Sequence, residues 1–343
     1  MALRHLPMML CIICVILFSA GNSHPAPGRE HTVQGTTMGT VYTIKFISPK
    51  KQSLALWQKK IDARLEQINA GLSMYDPDSD ISRFNRTGAD RPFRLSKDFL
   101  QVMQTADRVY RLTSGAWDGT IKPLVDLWGF GTQNIITVLP DPGDIQKALS
   151  RTGFHHLILD KNFLVKKIPG ITLDLGSIAK GYGVDAIAML LTAAGIENFL
   201  VEIGGELYGS GVNRHQKPWS VGITPPAAAA EGQRFYQIIT LDNAAIATSG
   251  NYRNFFTIQG KTYSHIIDPK TGFPVDNQVV SASVIAENCT FADALATAFM
   301  VMDPPASLVL VNRLENVECL IIKKTLTGFT EFVSRGFHTF AQP

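Results

Sequence analysis

The sequence predicts an α+β protein, and three observations carry that prediction. Runs of strand length dominate the second half of the chain. Several longer segments place their apolar residues at helical spacing. Strand and helix do not alternate regularly, which disfavours a doubly wound parallel sheet. Of the 343 residues, 45% are hydrophobic and 18% charged, the balance of a folded globular chain with room for one large or two medium domains. The formal net charge is only +3 and no Lys/Arg-rich run stands out, so no nucleic-acid partner is expected.

The N-terminus differs from the rest. Arg4 supplies a short basic region, and residues 6–18 are apolar apart from Cys11 and Cys14. That run has the length of a signal-peptide core and is too short to span a bilayer. Ser19, Ala20 and Gly21 are small enough for a cleavage site. Residues 1–21 are therefore expected to be a signal peptide, with an uncleaved N-terminal anchor as the alternative. Residues 22–34, with two prolines, read as a spacer. Residues 35–343 form the functional domain, divisible into two intertwined α/β subdomains. Cys289 and Cys319 are the cysteines of the mature chain. An exported compartment permits a disulfide between them, but their spacing does not require one. No Cys/His spacing suits a structural zinc site, so none is expected.

Along the chain, residues 40–47 alternate as a strand and 57–68 form an amphipathic helix. Residues 73–86 are a polar loop with a short helical start. Residues 96–113 have helical spacing with Ser96 as the N-cap, and 115–120 follow as a turn. A short helix is expected over 144–151, strands over 156–165 and 170–175, and a helix over 177–194 closed by Gly195. Strands follow over 198–211 and 219–223, then a loop over 225–232. Further strands are expected over 235–241, 254–259, 263–267 and 279–286, a helix over 290–302, and strands over 317–323 and 336–340.

Several segments could carry chemistry. Asp293 and Thr297 stand at i and i+4, on one face of a helix otherwise made for burial. A carboxylate and a hydroxyl there supply two hard oxygens, which suit Mg²⁺. The structural alternative is capping, with Thr290 as N-cap and Asp293 at N3. In residues 171–185 a strand ending at Asp174 turns through Gly176 into a helix starting near Ser177. Free N–H groups at such a start bind phosphate oxygens. Lys180 in the first turn opposes the helix dipole, which makes sense beside an anion; an ordinary surface lysine is the alternative. GSIAKG lacks P-loop spacing. His265, in a strand end followed by a turn, could act as a general base or bind phosphate, or be structural. Tyr75 and the Gly115–Gly119 turn place aromatic rings where a flat cofactor could stack, or where they are simply core.

Taken in order, these segments resemble the ApbE family of FAD:protein FMN transferases. The motifs are GTTMGTVY, SMYDPDSDISRFN, SGAWDGTIKPLVDLWGFG, LDLGSIAKGYGVD, VEIGGELYGSG, ATSGNYRNFF, YSHIIDPKTGFPV and ADALATAF. Each is weak alone, and their order is specific. The resemblance implies mixed, largely antiparallel sheets with packed helices, T-fold-like. It implies Mg²⁺-dependent transfer of FMN from FAD to a Thr or Ser hydroxyl of an acceptor flavoprotein, with release of AMP. The acceptor it implies is a subunit of a membrane redox complex or a related electron-transfer protein. By motif, Met38, Tyr75, Ala116, Trp117, Asp118, Asp174, Lys180 and Ile267 would contact FAD. Ser177, Asp293 and Thr297 would hold the metal. His265 and Asp174 are both candidates for the base. An FAD pyrophosphatase and a non-catalytic flavin-binding protein are the competing readings.

Two departures stand out. Position 296 is Ala where some relatives have a third acidic side chain. Many relatives are lipoproteins, but here Gly21 is followed by Asn22, not Cys. A soluble periplasmic form is therefore favoured, with inner-membrane association left open.

Overall fold

The computed structural model describes residues 28–131, 136–226, 235–251 and 254–342. The expected signal peptide and the first part of the spacer lie outside them. The rest of the spacer is a correction, because β1 (Arg29–Thr37) is already strand. It pairs with β2 (Thr40–Ser48), and His31 and Val33 point inward. His31 stacks on Phe46 at 5.1 Å, so a polar residue fills an inward position that sequence alternation does not flag. The turn between them uses Met38 and Gly39, both at positive φ (49° and 71°), the geometry that matches strand twist in a two-residue hairpin.

Helix α1 (Leu54–Leu72) is capped by the Ser53 side chain and buries Trp57, Ile61, Leu65, Ile68 and Leu72 on one stripe. α2 (Asp80–Arg86), capped by Ser79, is the helical start within the polar loop. After β3 (Phe93–Arg94), α3 (Lys97–Leu112) buries Phe99, Val102, Met103, Ala106 and Val109. α4 (Lys122–Leu127) was not expected; Pro123 suits its first turn. α5 (Pro142–Leu149) starts earlier than predicted because Asp141 caps it, with Pro142 at the first helical position.

The strand expected over 156–165 is a hairpin, β4 (Leu157–Asp160) and β5 (Phe163–Lys166). Residues 170–175 are a correction, since they join no sheet. The Asn85 side chain takes the place of a neighbouring strand. It accepts the Leu173 N–H at 2.7 Å and donates to the Leu173 carbonyl at 2.9 Å. α6 (Gly176–Ala193) follows as predicted, then β6 (Phe199–Ile203) and β7 (Glu206–Ser210) around a Gly204–Gly205 turn.

β8 (Trp219–Ile223) pairs with β9 (Gln237–Leu241). Of the loop expected between them, residues 227–232 lie outside the described residues. β10 (Ala244–Gly250) was missed, because its run of small residues carries little strand signal. β11 (Phe255–Ile258) and β12 (Lys261–Ser264) form a ribbon. β13 (Val279–Ala286), α7 (Cys289–Val301), α8 (Pro304–Val311), β14 (Glu318–Thr325) and β15 (Gly328–Val333) complete the chain. No strand forms over 336–340. There the Gly336 N–H bonds the Glu318 carboxylate at 3.0 Å and a 3₁₀ turn follows, burying Phe337.

The main sheet has eight strands in the order β1-β2-β6-β7-β10-β13-β14-β15, every neighbour antiparallel. α6 and α7 pack on one face over Ile44, Val201, Ala247 and Val284. The β8–β9 ribbon and Phe337 cover the other over Ile246, Ile285 and Leu320. The α+β expectation holds, with antiparallel pairing throughout. Among the described residues, no helix is long and apolar enough to cross a membrane. Cys289 and Cys319 are buried free thiols.

Candidate functional site

A cavity of about 360 Å³ opens where the start of α6, one face of α7, the end of β10 and the β6–β7 turn converge. Its remaining walls come from residues 116–130, Asp174, Asn254 and the loop after β12. Ten predicted site residues line it: Ala116, Trp117, Asp118, Asp174, Ser177, Lys180, His265, Ile267, Asp293 and Thr297. Met38 and Tyr75 do not. The thioether end of Met38 packs against Gly183 of α6. Tyr75 is 78% exposed and sits in a separate hollow beside Met74, Asn85 and Lys122.

Local folding explains the placement. Lys166 is buried and donates to the carbonyls of Asn85 and Thr87, fixing the end of α2. Asn85 in turn holds Leu173, and Asp174 N–H bonds the Gly119 carbonyl at 2.8 Å. Asp174 thereby enters the cavity just before α6, its Oδ1 accepting the Gly176 N–H at 2.9 Å. Burial raises its pKa, although one face stays open to the cavity. The Asp118 oxygens are already committed, to the N–H and hydroxyl of Thr120 and to the Phe154 N–H. Asp118 shapes the 115–120 turn, and burial raises its pKa.

Asp293 does not cap its own helix. The N-cap of α7 is Asn288, which accepts from Phe291 N–H at 3.0 Å. Asp293 instead reaches α6, where Oδ2 accepts the Gly181 N–H at 3.0 Å. Lys180 has its anions within the protein. Its ammonium lies 2.7 Å from Glu206 Oε1 and 3.8 Å from Asp293 Oδ1. Burial opposes that charge, but the carboxylates of Asp293 and Glu206 outweigh it and raise the lysine pKa. Burial, reinforced by the charge of Asp293, pushes Glu206 up against the pull of Lys180. Gly204 is needed here, because a Cβ would sit 2.8 Å from Thr40 and 3.3 Å from the Lys180 stem.

The hydroxyls are held as well. Ser177 accepts from the Trp117 indole at 2.9 Å, and Thr297 lies 3.0 Å from the Ser249 hydroxyl. His265 Nδ1 donates to the Asn254 carbonyl at 2.9 Å, leaving Nε2 as an acceptor. Burial lowers the His265 pKa, so the ring is neutral at pH 7. Among the described residues, no group of three or more Asp, Glu, His or Cys forms a metal cage. Asp293, Thr297 and Ser177 together offer hard oxygens, the donor chemistry of a cation that retains waters and binds substrate phosphates.

Sequence reasoning missed Glu206, Ser249 and Asn254, all of which line the cavity. Glu206 had one available signal, a carboxylate directly after a Gly-Gly turn at the head of a buried strand.

Comparisons with known proteins agree with this architecture. The ApbE family model matches residues 38–321. The FAD:protein FMN transferase of Vibrio cholerae is 42% identical over 332 residues, covering 96% of this chain and 98% of that protein. The one from Haemophilus influenzae is 36% identical, covering 89% and 90%. The solved flavin transferase ApbE from Vibrio cholerae superposes with a TM-score of 0.84 at 41% identity, covering 92% of this chain and 100% of that one. The apo flavinyl transferase ApbE of Pseudomonas stutzeri gives 0.83 at 33% identity, covering 91% and 97%.

Proposed function

The chain belongs to the ApbE family, and on that footing we propose that it uses Mg²⁺ to move the FMN half of FAD onto a Thr or Ser hydroxyl of an acceptor flavoprotein, releasing AMP. It is an enzyme, an FAD:protein FMN transferase like the relatives it matches. One observation supports the finer reading most. The oxygen donors of Asp293, Thr297 and Ser177 share a single cavity with the candidate bases His265 and Asp174.

The bond that forms joins the acceptor oxygen to the FMN phosphorus, and the bond that breaks joins that phosphorus to the AMP oxygen. The acceptor supplies the nucleophile, so the enzyme needs positioning, charge neutralisation and a base. Asp293, Thr297 and Ser177 would hold Mg²⁺. Bound there, the ion would neutralise charge developing on the pyrophosphate oxygens. His265, with Nδ1 fixed on Asn254, takes the hydroxyl proton at Nε2. Trp117 and Ile267 give the cavity apolar wall against which the flavin nucleotide excludes water. Asp174 faces the same space and orients polar groups of FAD.

Export to the periplasm, with acceptors among subunits of membrane redox complexes or related electron-transfer proteins, completes the reading. Its support is the basic and apolar N-terminus, Arg4 followed by residues 6–18. Inner-membrane association is compatible with an uncleaved form. The test incubates the mature protein with FAD, Mg²⁺ and a candidate acceptor domain. Covalent flavin fluorescence on a denaturing gel together with AMP supports transfer. FMN and AMP without labelled protein indicate a pyrophosphatase, and intact FAD indicates binding alone.

A further inference from the structure

Glu206 has no place in the roles assigned so far. It heads β7 directly after the Gly204–Gly205 turn, is 4% exposed, and lines the same cavity as Asp293 and Thr297. Oε1 accepts from the Lys180 ammonium at 2.7 Å. Oε2 is buried and has no hydrogen-bond partner within the protein. A buried carboxylate oxygen left without a partner is unfavourable on general grounds, so such atoms mark where a ligand belongs.

The missing partner can be characterised by charge. Asp293 and Glu206 bring two carboxylates to the cavity wall, and Lys180 answers them with one ammonium. With both carboxylates ionised the cluster carries one negative charge in excess, and a cation, which favours that ionised form, is its natural complement. The contacts also divide the work unevenly. Lys180 is drawn onto Glu206 Oε1 and stands off Asp293 by 3.8 Å. Asp293 Oδ1 and Glu206 Oε2 therefore remain the least satisfied oxygens of the group. Position 296 on α7 is Ala, so no further carboxylate comes from that helix turn.

We propose that Glu206, through Oε2, is a second carboxylate ligand of the divalent cation held by Asp293 and Thr297. It reaches that cation from the start of the central strand β7 rather than from α7, and it serves the Mg²⁺-dependent reading given above. A cation with two carboxylates, hydroxyl oxygens and several waters fits the hard-oxygen coordination of Mg²⁺.

The test measures binding, with Mn²⁺ as a paramagnetic substitute titrated by electron paramagnetic resonance into the full mature chain without FAD. Glu206→Gln keeps an oxygen for Lys180 but replaces the unpartnered Oε2 by an amide nitrogen, which cannot ligate the ion. It should weaken Mn²⁺ binding by at least about tenfold. The double variant Lys180→Met with Glu206→Gln should remain weak, because removing the ammonium does not restore a lost ligand. Unfolding midpoints and FAD binding without metal serve as controls. Unchanged Mn²⁺ affinity in Glu206→Gln overturns the proposal. So does recovered affinity in the double variant, which would reduce Glu206 to holding Lys180 away from Asp293. Weakened FAD binding with normal Mn²⁺ binding would also overturn it, by pairing Oε2 with the nucleotide. If the parent protein binds no Mn²⁺, this assignment falls together with the metal-dependent reading. The other failures leave that reading standing.

Discussion

Asp185 on α6 accepts the Thr290 backbone N–H at 2.8 Å, and so caps a helix that is not its own. It also accepts the Cys289 N–H at 2.7 Å and the Thr290 hydroxyl. The first two backbone donors of α7 are thus satisfied from a neighbour, which fixes the helix carrying Asp293 and Thr297 against α6.

This arrangement predicts a pH dependence of stability. Burial pushes Asp185 up to about 6, and its three donors offset only part of the shift. The folded chain therefore binds a proton here more readily than the unfolded chain, whose Asp titrates near ~3.9. The contribution to stability is full below that value and is lost as pH rises through about 6. It should amount to roughly 3 kcal/mol across the window. Urea unfolding of the parent and of Asp185→Asn, followed from about pH 4 to pH 7, checks it. The variant should show the smaller fall in stability with rising pH, and parallel curves would refute the assignment.

A second prediction concerns Gly181. A Cβ at this position would sit 2.8 Å from Asp293 Cβ and closer still to the Cys289 carbonyl oxygen. α6 and α7 therefore meet backbone to backbone, with the Gly181 N–H on Asp293. In an ordinary helix Gly→Ala would stabilise by about 1 kcal/mol. Here overpacking should dominate, so that Gly181→Ala costs about 1–3 kcal/mol and displaces Asp293. A lower thermal midpoint together with weaker Mg²⁺-supported transfer is the expected result. A variant that melts at or above the parent would show that the helices have room to spare.

How far these features could be read from sequence depends on where their cause lies. The pairing of Asp293 with Thr297 follows from helical periodicity alone, and both line the cavity. Lys180 was legible as a cation needing an anion, but its partners Glu206 and Asp293 come from distant segments. No local pattern names them. Thr290 and Asp293 have the spacing of a capping pair, yet Asn288 caps α7 because Asp293 is drawn to α6. β10 was missed because its alanines are strand-like only once α7 packs over them. Residues 170–175 looked like a strand because buried Ile171, Leu173 and Leu175 alternate with Thr172 and Asp174, but the backbone partners are the Asn85 side chain and the Gly119 carbonyl, not a strand.

That side chain carries a third prediction. Asn85 matches the Leu173 backbone with one donor and one acceptor, as a neighbouring strand would. Asn85→Ala leaves both groups of Leu173 without their partner, which costs about 1–3 kcal/mol. Asn85→Asp keeps the acceptor and sets a carboxylate against the Leu173 carbonyl. Both variants should loosen the segment that carries Asp174. Hydrogen exchange at the Leu173 amide should speed up in Asn85→Ala and less so in Asn85→Asp. Equal protection in all three proteins would mean that the segment is held by its burial alone.

The last prediction separates the two candidate bases. His265 has one nitrogen committed, since Nδ1 donates to the Asn254 carbonyl at 2.9 Å. The neutral ring then presents Nε2 as an acceptor, which is the form a base requires. Burial lowers its pKa below the ordinary 6.5, so this form persists to lower pH than for a free histidine. Asp174 is also in the cavity, but burial raises its pKa and Gly176 occupies one of its oxygens. If His265 is the base, single-turnover transfer should fall as pH drops through a midpoint below 6.5. His265→Ala should reduce the rate by about 10²–10⁴-fold and leave FAD binding intact. Asp174→Asn should instead weaken FAD binding more than it slows the bound complex. A His265→Ala enzyme that keeps the parent's rate and acid limb would transfer the role to Asp174.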